Sequence, residues 1–352
     1  MIIIITVSCL VLVGVSYIML DILSGMVVTP KTPVKEENTE ARLVVSIEAS
    51  EIVSMQVSGD GRFIAYEERG VVDGTVVLNV VASGEGRPSL FSQVVAGDSL
   101  SWLGETASLV YEDGGDIFIL DTEEGIATNL TSSETVDADP IPSPDGRYIL
   151  WTSIPGSGGE DEAELWVMDA DGSNQDFLAE YQNLPTWDPA GGRIASRQDT
   201  AISTMEGSYR HMIQTAVPGR EGWTYYGETD GDVRFIWWPL QDELLYISPQ
   251  SSNGDEAIRG VWYRVETPEG LKRVASTDGL GYEEAYYRFY PARGEERVAY
   301  VGEKGLEVMD YGERVIHRYA AIRAETPLAW DESSNVIYFA SPQGIYRLEL
   351  EG

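Results

Sequence analysis

Hydrophobic positions along this chain alternate with polar ones in short runs, and turns rich in Pro, Asp and Gly separate the runs. The stretch SPDGRYILW, from Ser143 to Trp151, is typical: a Pro-Asp-Gly turn precedes an apolar strand. This alternation predicts β-strands, and no unit shows the 3.6-residue period of an amphipathic helix. In such turns Pro presets φ, Asp accepts hydrogen bonds from the backbone and Gly adopts a positive φ. Asp60 and Asp145 are therefore interpreted as turn residues.

The turn-strand unit occurs seven times at spacings of roughly 40 to 52 residues, a period that indicates an array, a solenoid or a propeller. Its lead residues, just before each turn, are Val57, Trp102, Pro142, Trp187, Trp237, Phe289 and Trp330. A strand precedes each turn, and a second and a third follow it. A weaker fourth strand closes most units. Four short strands per unit predict one propeller blade per unit.

The two ends of the repeat region complement each other. The last unit reaches Gly352 after its third strand, whereas an additional strand-like run, RLVVSIEA, begins at Arg42. Pairing these runs would complete the last blade and leave no sheet edge open at the ring closure. The sequence thus predicts an all-β fold, a seven-bladed β-propeller over residues 43–352 closed by the N-terminal strand. Six and eight blades are the alternatives.

The N-terminal residues have a different character. Residues 1–28 are apolar apart from Asp21, and about 20 such residues span a bilayer. The run is too long for a cleavable signal peptide and has no basic residue in front of it. We expect an N-terminal single-span helix over residues 1–28, with residues 2–28 in the membrane, or a helix that packs into an assembly. Residues 29–42 read as an extended linker.

The charge balance excludes one class of partner. The formal net charge is −34, so the protein repels phosphate backbones and anionic lipid surfaces, and no nucleic-acid partner is expected. The single cysteine, Cys9, and two histidines cannot build a disulfide framework or a Cys/His zinc site. Lys31 and Lys35 follow the apolar run, which by the positive-inside rule weakly favours a cytoplasmic body.

The third unit resembles a known family. Its segments PSPDGRYILWTS and ELWVMDADGSNQDFLAE are similar to the TolB-type propeller repeat, which also forms the propeller domain of dipeptidyl-peptidase-type enzymes. The resemblance extends over about residues 43–352, and the other units match less closely. It implies a β-propeller that serves as a protein-interaction platform in the cell envelope. The resemblance therefore favours a propeller outside the cytoplasm, whereas the positions of Lys31 and Lys35 favour one inside it.

Catalytic motifs are scarce. There is no G-x-S-x-G nucleophile elbow, and His211 and His317 are interpreted as ordinary strand histidines. The position five residues before the lead residue in units three to seven holds Asp137, Gln182, Asp232, Glu284 and Glu325. At the start of the innermost strands these side chains would ring one channel mouth, with Arg234 and Arg288 nearby. Such a ring could attract a cation or a basic segment, or two of its carboxylates could hydrolyse a glycosidic bond.

Two further features have candidate roles. The segment DADGSN offers Asp169, Asp171 and Asn174 as oxygen ligands for calcium, but it is also typical of a hairpin turn and lacks the downstream Glu of an EF-hand. No other cofactor is expected. Trp223 and Tyr286 are candidate contacts for a partner, because exposed aromatic side chains favour protein and sugar surfaces.

These observations leave three functional readings. The leading one is a non-catalytic, membrane-tethered propeller that binds a protein or a cell-envelope glycan through its channel mouth and blade loops. The first alternative is a carbohydrate-active hydrolase that uses carboxylates at the channel mouth. The second is a structural subunit of a surface assembly, with the apolar N-terminus as its packing helix.

Overall fold

The structure is a computed structural model, and it describes part of the chain. The chain divides into two units, Met1–Val34 and Lys35–Gly352, and the described residues belong to the second. They are residues 35–36, 40–47, 50–70, 74–84, 89–97, 99–156, 163–180, 182–203, 209–230, 235–240, 243–250, 259–266, 270–281, 289–292, 297–302, 305–310, 315–319, 322, 325–331 and 335–350. Within these ranges every regular element is a β-strand, and no helix there could cross a membrane. The helix expected over residues 1–28 lies outside them.

The described strands form seven sheets, six of four strands and one of five, and all but one of the strand pairs are antiparallel. Sheet 1 contains β3 (Ser50–Val57), β4 (Phe63–Gly70), β5 (Val76–Ala82) and β6 (Ser89–Val95). Sheet 2 contains β7 (Leu100–Trp102), β8 (Ser108–Asp113), β9 (Asp116–Asp121) and β10 (Ile126–Asn129). Sheet 3 contains β11 (Val136–Pro142), β12 (Tyr148–Ile154), β13 (Glu164–Asp169) and β14 (Asp176–Glu180). In all three, sequence order is spatial order.

The next sheets follow the same plan. Sheet 4 contains β15 (Gln182–Trp187), β16 (Ile194–Ser203), β17 (Tyr209–Ala216) and β18 (Thr224–Asp230). Sheet 5 contains β19 (Phe235–Leu240), β20 (Glu243–Gln250), β21 (Arg259–Glu266) and β22 (Gly270–Gly281). Sheet 6 contains β23 (Phe289–Pro291), β24 (Arg297–Gly302), β25 (Gly305–Asp310) and β26 (Val315–Tyr319). Sheet 7 contains β27 (Glu325–Trp330), β28 (Val336–Ser341) and β29 (Gly344–Glu349).

Two strands that precede the repeats in the chain pair with the outer strands of sheets 6 and 7. Strand β2 (Arg42–Ser46) pairs antiparallel with β29 and is the fourth strand of sheet 7, with Leu43 opposite Tyr346. Strand β1 (Lys35–Glu36) pairs parallel with β26 and adds a fifth strand to sheet 6. This short strand falls within the segment that the sequence predicted as an extended linker, residues 29–42.

Apolar cores lie between successive sheets. Separate clusters fill the space between sheets 1 and 2, 2 and 3, 3 and 4, and 6 and 7. Another cluster joins sheet 7 to sheet 1 and includes Val44 of β2, Met55 of β3 and Tyr338 of β28. The last sheet therefore packs against the first. Sheets 1, 2, 3 and 7 thus bury both faces against their neighbours, which explains the apolar runs in their second strands.

A tryptophan links neighbouring sheets at a repeated position. The indole N–H of Trp187 donates to the carbonyl oxygen of Ile141 at 2.8 Å, and that of Trp330 to the carbonyl oxygen of Tyr290 at 2.7 Å. Ile141 immediately precedes the lead residue of unit three. Tyr290 occupies the same place only if the lead residue of unit six is Pro291, which corrects the expected register at Phe289 by two residues.

The Pro-Asp-Gly turns have the predicted structure. In unit three the Ser143 hydroxyl donates to Asp145 Oδ1 at 2.7 Å, and the Arg147 backbone N–H donates to the same oxygen at 3.1 Å. Gly146 has a φ of 70°. Asp60 makes the equivalent bonds with Ser58 and Arg62 in unit one. The interpretation of Asp60 and Asp145 as turn residues is confirmed.

Candidate functional site

The first strands of several sheets contain a β-bulge next to the predicted channel mouth. The pairing register shifts between Ile52 and Ser54 in β3, and between Ala138 and Ile141 in β11. It also shifts between Asn183 and Thr186 in β15 and between Glu325 and Leu328 in β27. A bulge inserts an extra residue, so side chains beyond it no longer follow the alternation set by the lead residue. The position five residues before the lead residue lies at or beyond the bulge.

Asp137 shows the consequence. Only 2% of this residue is exposed, and its carboxylate accepts three hydroxyl hydrogen bonds. Ser153 donates to Oδ1 at 2.6 Å, Thr135 donates to Oδ1 at 3.0 Å, and Ser133 donates to Oδ2 at 3.1 Å. The backbone N–H of Asp137 donates to the carbonyl oxygen of Gly115 in sheet 2 at 2.8 Å. The carboxylate therefore joins β11 to β12 instead of facing an open mouth.

The other residues of the predicted ring are described only in part. Gln182 begins β15 opposite Gln198, and Glu325 begins β27 opposite Ala340, so these positions and Asp137 lie near the same end of their strands. The side chains of Gln182 and Glu325 lie outside the described part of the structure. With Pro291 as the lead residue of unit six, Tyr286 rather than Glu284 stands five residues before it. Five of the predicted site residues lie outside the described residues: Asp232, Arg234, Glu284, Tyr286 and Arg288.

Trp223 is a packing residue at the junction of sheets 3 and 4. Its side chain is half-buried against the core that contains Leu165 and Trp187. The indole N–H donates to the carbonyl oxygen of Leu178, on the outer strand of the preceding sheet, at 3.2 Å. Of the neighbouring aromatic residues, Tyr225 is the exposed one. The sequence pattern did not separate these two roles, because both residues are aromatic and lie two positions apart, with Trp223 just before β18 and Tyr225 within it.

The DADGSN segment forms the turn between β13 and β14. Asn174 Nδ2 donates to Asp169 Oδ2 at 2.6 Å, and the Ser173 backbone N–H donates to Asp171 Oδ1 at 3.0 Å. Hydrogen bonds from the side chain and backbone of Ser173 lower the pKa of Asp171. The carboxylate oxygens of Asp169 and Asp171 thus accept hydrogen bonds from donors within the turn. No group of three His, Cys, Asp or Glu residues arranged to hold a metal ion occurs among the described residues.

A cleft of about 360 Å³ lies where sheets 6, 7 and 1 meet along their first strands. Residues Val53–Gly59 of β3 and the turn after it form one wall, Pro327–Asp331 form another, and Tyr290 contributes from sheet 6. Gln56 is held in the wall because its Nε2 donates to the carbonyl oxygen of Leu100 at 3.0 Å. The volume lies within the usual range of ligand pockets, about 300 to 1,000 Å³. The signal that sequence reasoning overlooked is the pair of polar residues before the lead position of unit one, Ser54 and Gln56.

Comparison with known proteins places the fold. No protein-family profile matches the chain. The uncharacterized protein Atu1656 of Agrobacterium fabrum is 26% identical over 145 residues, which are 39% of this chain and 48% of that protein. The matched region thus spans about half of the length of this curated relative.

Three solved structures have a similar fold. An oligogalacturonate lyase in complex with manganese has a TM-score of 0.61 and 11% identity, covering 88% of this chain and 90% of that one. A puromycin-hydrolyzing peptidase of Mycobacterium tuberculosis has a TM-score of 0.60 and 16% identity, covering 89% and 55%. The β-propeller domain of the Trilobed protease from Pyrococcus furiosus has a TM-score of 0.57 and 10% identity, covering 89% and 95%.

At these identities the likeness establishes the fold and no more. The chain is an all-β propeller similar in fold to the propeller domain of the Trilobed protease. Propellers host many unrelated functions, so the function has to be argued from the site.

Proposed function

We propose that this protein is a non-catalytic, membrane-tethered propeller of seven blades that binds a protein or cell-envelope partner. The observation that supports binding over hydrolysis is the enclosure of Asp137. A carboxylate that is 2% exposed and accepts hydrogen bonds from three hydroxyl groups serves the scaffold and is closed to a substrate. The cleft between sheets 6, 7 and 1 is the surface that we assign to the partner, together with the blade loops.

The seven-bladed ring is supported by the sheet count and by the way the sheets pack. Seven sheets are described, sheet 7 shares a core with sheet 1, and β2 completes sheet 7 by pairing with β29. Closure of this kind ties the ends of the repeat region together, so the ring does not open by fraying from one end. A rigid ring holds the cleft walls, which belong to three different sheets, at fixed distances.

The tether is proposed from the sequence. The apolar run over residues 2–28 is long enough to cross a bilayer, and the resemblance to TolB-type repeats favours an extracytoplasmic propeller. Protease treatment of intact and of permeabilised cells tests both parts. We expect the full chain in the membrane fraction, resistant to carbonate extraction, with the propeller accessible from outside the cytoplasm. Recovery of the full chain in the soluble fraction, or in detergent-resistant fibres, would favour the assembly subunit instead.

The partner-binding proposal is tested by filling the cleft. The full chain, tagged and produced in its source organism, is cross-linked and purified as wild type, as Ser54→Trp and as Ser92→Trp. Ser54 lines the cleft, whereas Ser92 is exposed on the outer strand β6. We expect the same partner with wild type and Ser92→Trp, and at least a fivefold loss with Ser54→Trp. Equal recovery from all three proteins would exclude the cleft.

A carbohydrate-active enzyme is the second candidate, and the likeness to a lyase structure favours it. That likeness covers nearly the whole of both chains, although the identity is 11%. An assay of oligogalacturonate and cell-envelope glycans, with and without added Mn²⁺ or Ca²⁺, separates the candidates. Release of products that is lost in Glu284→Gln or Asp232→Asn would replace the binding proposal with the enzyme. Product release that both variants retain would point to other residues.

A further inference from the structure

The fourth strand of sheet 2, β10, differs from the fourth strand of each of the other described sheets. The pairing of β6, β14, β18, β22, β26 and β2 with the strand inside each of them is interrupted by a register shift. Among these fourth strands, only β10 pairs with its inner neighbour, β9, without a shift. Bulges on outer strands protect sheets against the addition of foreign strands. Sheet 2 lacks this protection.

The edge of β10 is also open to solvent. All four residues, Ile126–Asn129, are exposed, and 56% of Ile126 is accessible to solvent. Among the described residues no strand pairs with the outer side of β10. The Leu130 N–H donates inward to the carbonyl oxygen of Ile117 at 2.8 Å. Since alternate residues of an antiparallel strand bond to the same side, the N–H groups of Ala127 and Asn129 point outward.

The chain itself shows that such an edge accepts another strand. Strand β1 lies along β26, the equivalent outer strand of sheet 6, with Lys35 opposite His317 and Glu36 opposite Arg318. It pairs with the regular part of β26, beyond the register shift between Val308 and Met309. The outer edge of sheet 6 therefore takes an added strand where its pairing is regular, and the pairing of β10 is regular along its whole length.

The surroundings of β10 determine which segment would fit. The turn before it contains the exposed carboxylates Asp121, Glu123 and Glu124, of which Glu123 is paired with Arg62 at 2.9 Å. Asp116 lies at the other end, where its Oδ2 accepts a hydrogen bond from Asn129 Nδ2 at 2.8 Å. Acidic ends with an exposed Ile between them complement an extended segment that carries both basic and apolar side chains.

We propose that the outer edge of β10 is a docking site for an extended basic segment of a partner protein, which adds to sheet 2 as a fifth strand. Backbone hydrogen bonds to Ala127 and Asn129 supply the register, and the acidic turn selects the charge. The four-residue edge allows a weak, reversible contact. It lies on the outer side of the blades, away from the cleft between sheets 6, 7 and 1, and does not depend on the partner proposed for that cleft.

The test uses the full chain in detergent micelles and labelled octapeptides with blocked ends. One peptide alternates Arg and Val, a second alternates Glu and Val, and a third repeats the first with N-methylated backbone amides. We expect the Arg/Val peptide to bind at least tenfold more tightly than the other two in fluorescence anisotropy. Hydrogen exchange should show new protection in residues 126–129. Equal binding of the three peptides, or protection only elsewhere, would overturn the proposal.

Substitution of Ala127 isolates the backbone contact. Ala127→Pro removes the outward N–H, and proline is tolerated on an edge strand when its N–H side faces solvent. We expect about tenfold weaker binding of the Arg/Val peptide, whereas Ala127→Thr, which keeps the N–H, stays within about twofold. If Ala127→Pro lowers the melting temperature, the proposal is tested instead by the effect of Ile126→Ser on binding of the Arg/Val peptide and by the hydrogen-exchange pattern of the wild type. Ser54→Trp should leave peptide binding unchanged, which keeps this outcome separate from that of the cleft.

Discussion

The indole N–H of Trp187 donates to the carbonyl oxygen of Ile141, 2.8 Å away and 46 residues earlier in the chain. The donor belongs to the first strand of sheet 4 and the acceptor to that of sheet 3. Trp102 makes the same kind of bond to Gln56 at 3.3 Å, and Trp330 to Tyr290 at 2.7 Å. Each bond spans one repeat, so this side chain sets the spacing between adjacent blades as well as filling the core between them.

Replacing Trp187 should lower the free energy of unfolding by more than the loss of side-chain volume alone would. In Trp187→Phe the partly buried carbonyl oxygen of Ile141 loses its donor, which adds roughly 1 kcal/mol to the cost of the cavity. Trp151→Phe is the matched control, because the buried Trp151 indole N–H has no hydrogen-bond partner in the described part of the chain. Urea unfolding should show a larger loss for Trp187→Phe. Equal losses would mean that the bond between sheets contributes nothing.

Contact between successive turns gives a second prediction. A Cβ on Gly59 would lie 2.7 Å from the carbonyl oxygen of Gly104 in the next turn, and backbone atoms on both sides cannot move away. Gly59→Ala should therefore destabilise the fold by about 1 to 3 kcal/mol. At Gly192 a Cβ would meet nothing within 4 Å, so Gly192→Ala should be neutral or stabilising. The melting temperatures of the two variants compare the clash at Gly59 with the open space at Gly192, and that of Gly59→Ala should be the lower.

The turns could be predicted from the sequence because their hydrogen bonds are local. Ser143, Asp145 and Arg147 bond within five residues, and the same chemistry recurs in unit one. The four-strand units followed from the same periodicity. Distant partners are less visible in the sequence. Strand β1 was not expected, because its two residues show no strand pattern and their partners, His317 and Arg318, lie in the sixth unit.

The candidate site was harder to predict for a physical reason. The bulge between Ala138 and Ile141 depends on how β11 pairs with β12, and Asp139 adopts a φ of 53° there. One extra residue changes the side to which Asp137 points, so counting five residues back from the lead residue does not predict its environment. In unit six the two-residue difference between Phe289 and Pro291 shifted the count again.

Pairing of β2 with β29 is tested by two adjacent substitutions. Val44 is 7% exposed in the core between sheets 7 and 1, whereas its neighbour Leu43 is 42% exposed. Val44→Asp places a charge in that core and should destabilise the protein by several kcal/mol, enough to lower its folded yield. Leu43→Asp should change the unfolding free energy by less than about 1 kcal/mol. If both variants are equally stable, β2 does not close the last sheet in solution.

Acid should weaken the turns. Burial alone would raise the pKa of Asp145, but hydrogen bonds from Ser143 and Arg147 outweigh it and lower this pKa below 3.8, and Asp60 is shifted the same way. A carboxylate with a lowered pKa in the folded state stabilises the protein above the unfolded value, and this contribution is lost as the pH falls through the folded pKa. The unfolding free energy should drop below about pH 4. The double variant Asp60→Asn/Asp145→Asn should show a shallower drop.

Alkaline pH should destabilise the protein through two buried tyrosine side chains, Tyr111 and Tyr66. Burial, reinforced by the charge of Asp113, raises the pKa of Tyr111 to about 12, and burial with Glu68 raises that of Tyr66 to about 12. The unfolded phenols ionise near pH 10, so the unfolded chain binds fewer protons between pH 10 and pH 12, and stability falls as the pH rises through that range.

Tyr111→Phe should remove part of this alkaline loss. At pH 7 the variant should be as stable as the wild type or slightly more stable, because the Tyr111 hydroxyl is buried without a hydrogen-bond partner among the described residues. Tyr225→Phe, at an exposed position, is the control and should leave the alkaline curve unchanged. Guanidinium unfolding at pH 7, 10 and 11.5 measures all three proteins. A clear loss for Tyr111→Phe at pH 7 would mean that the hydroxyl has a partner, such as a buried water, and that its burial is not costly.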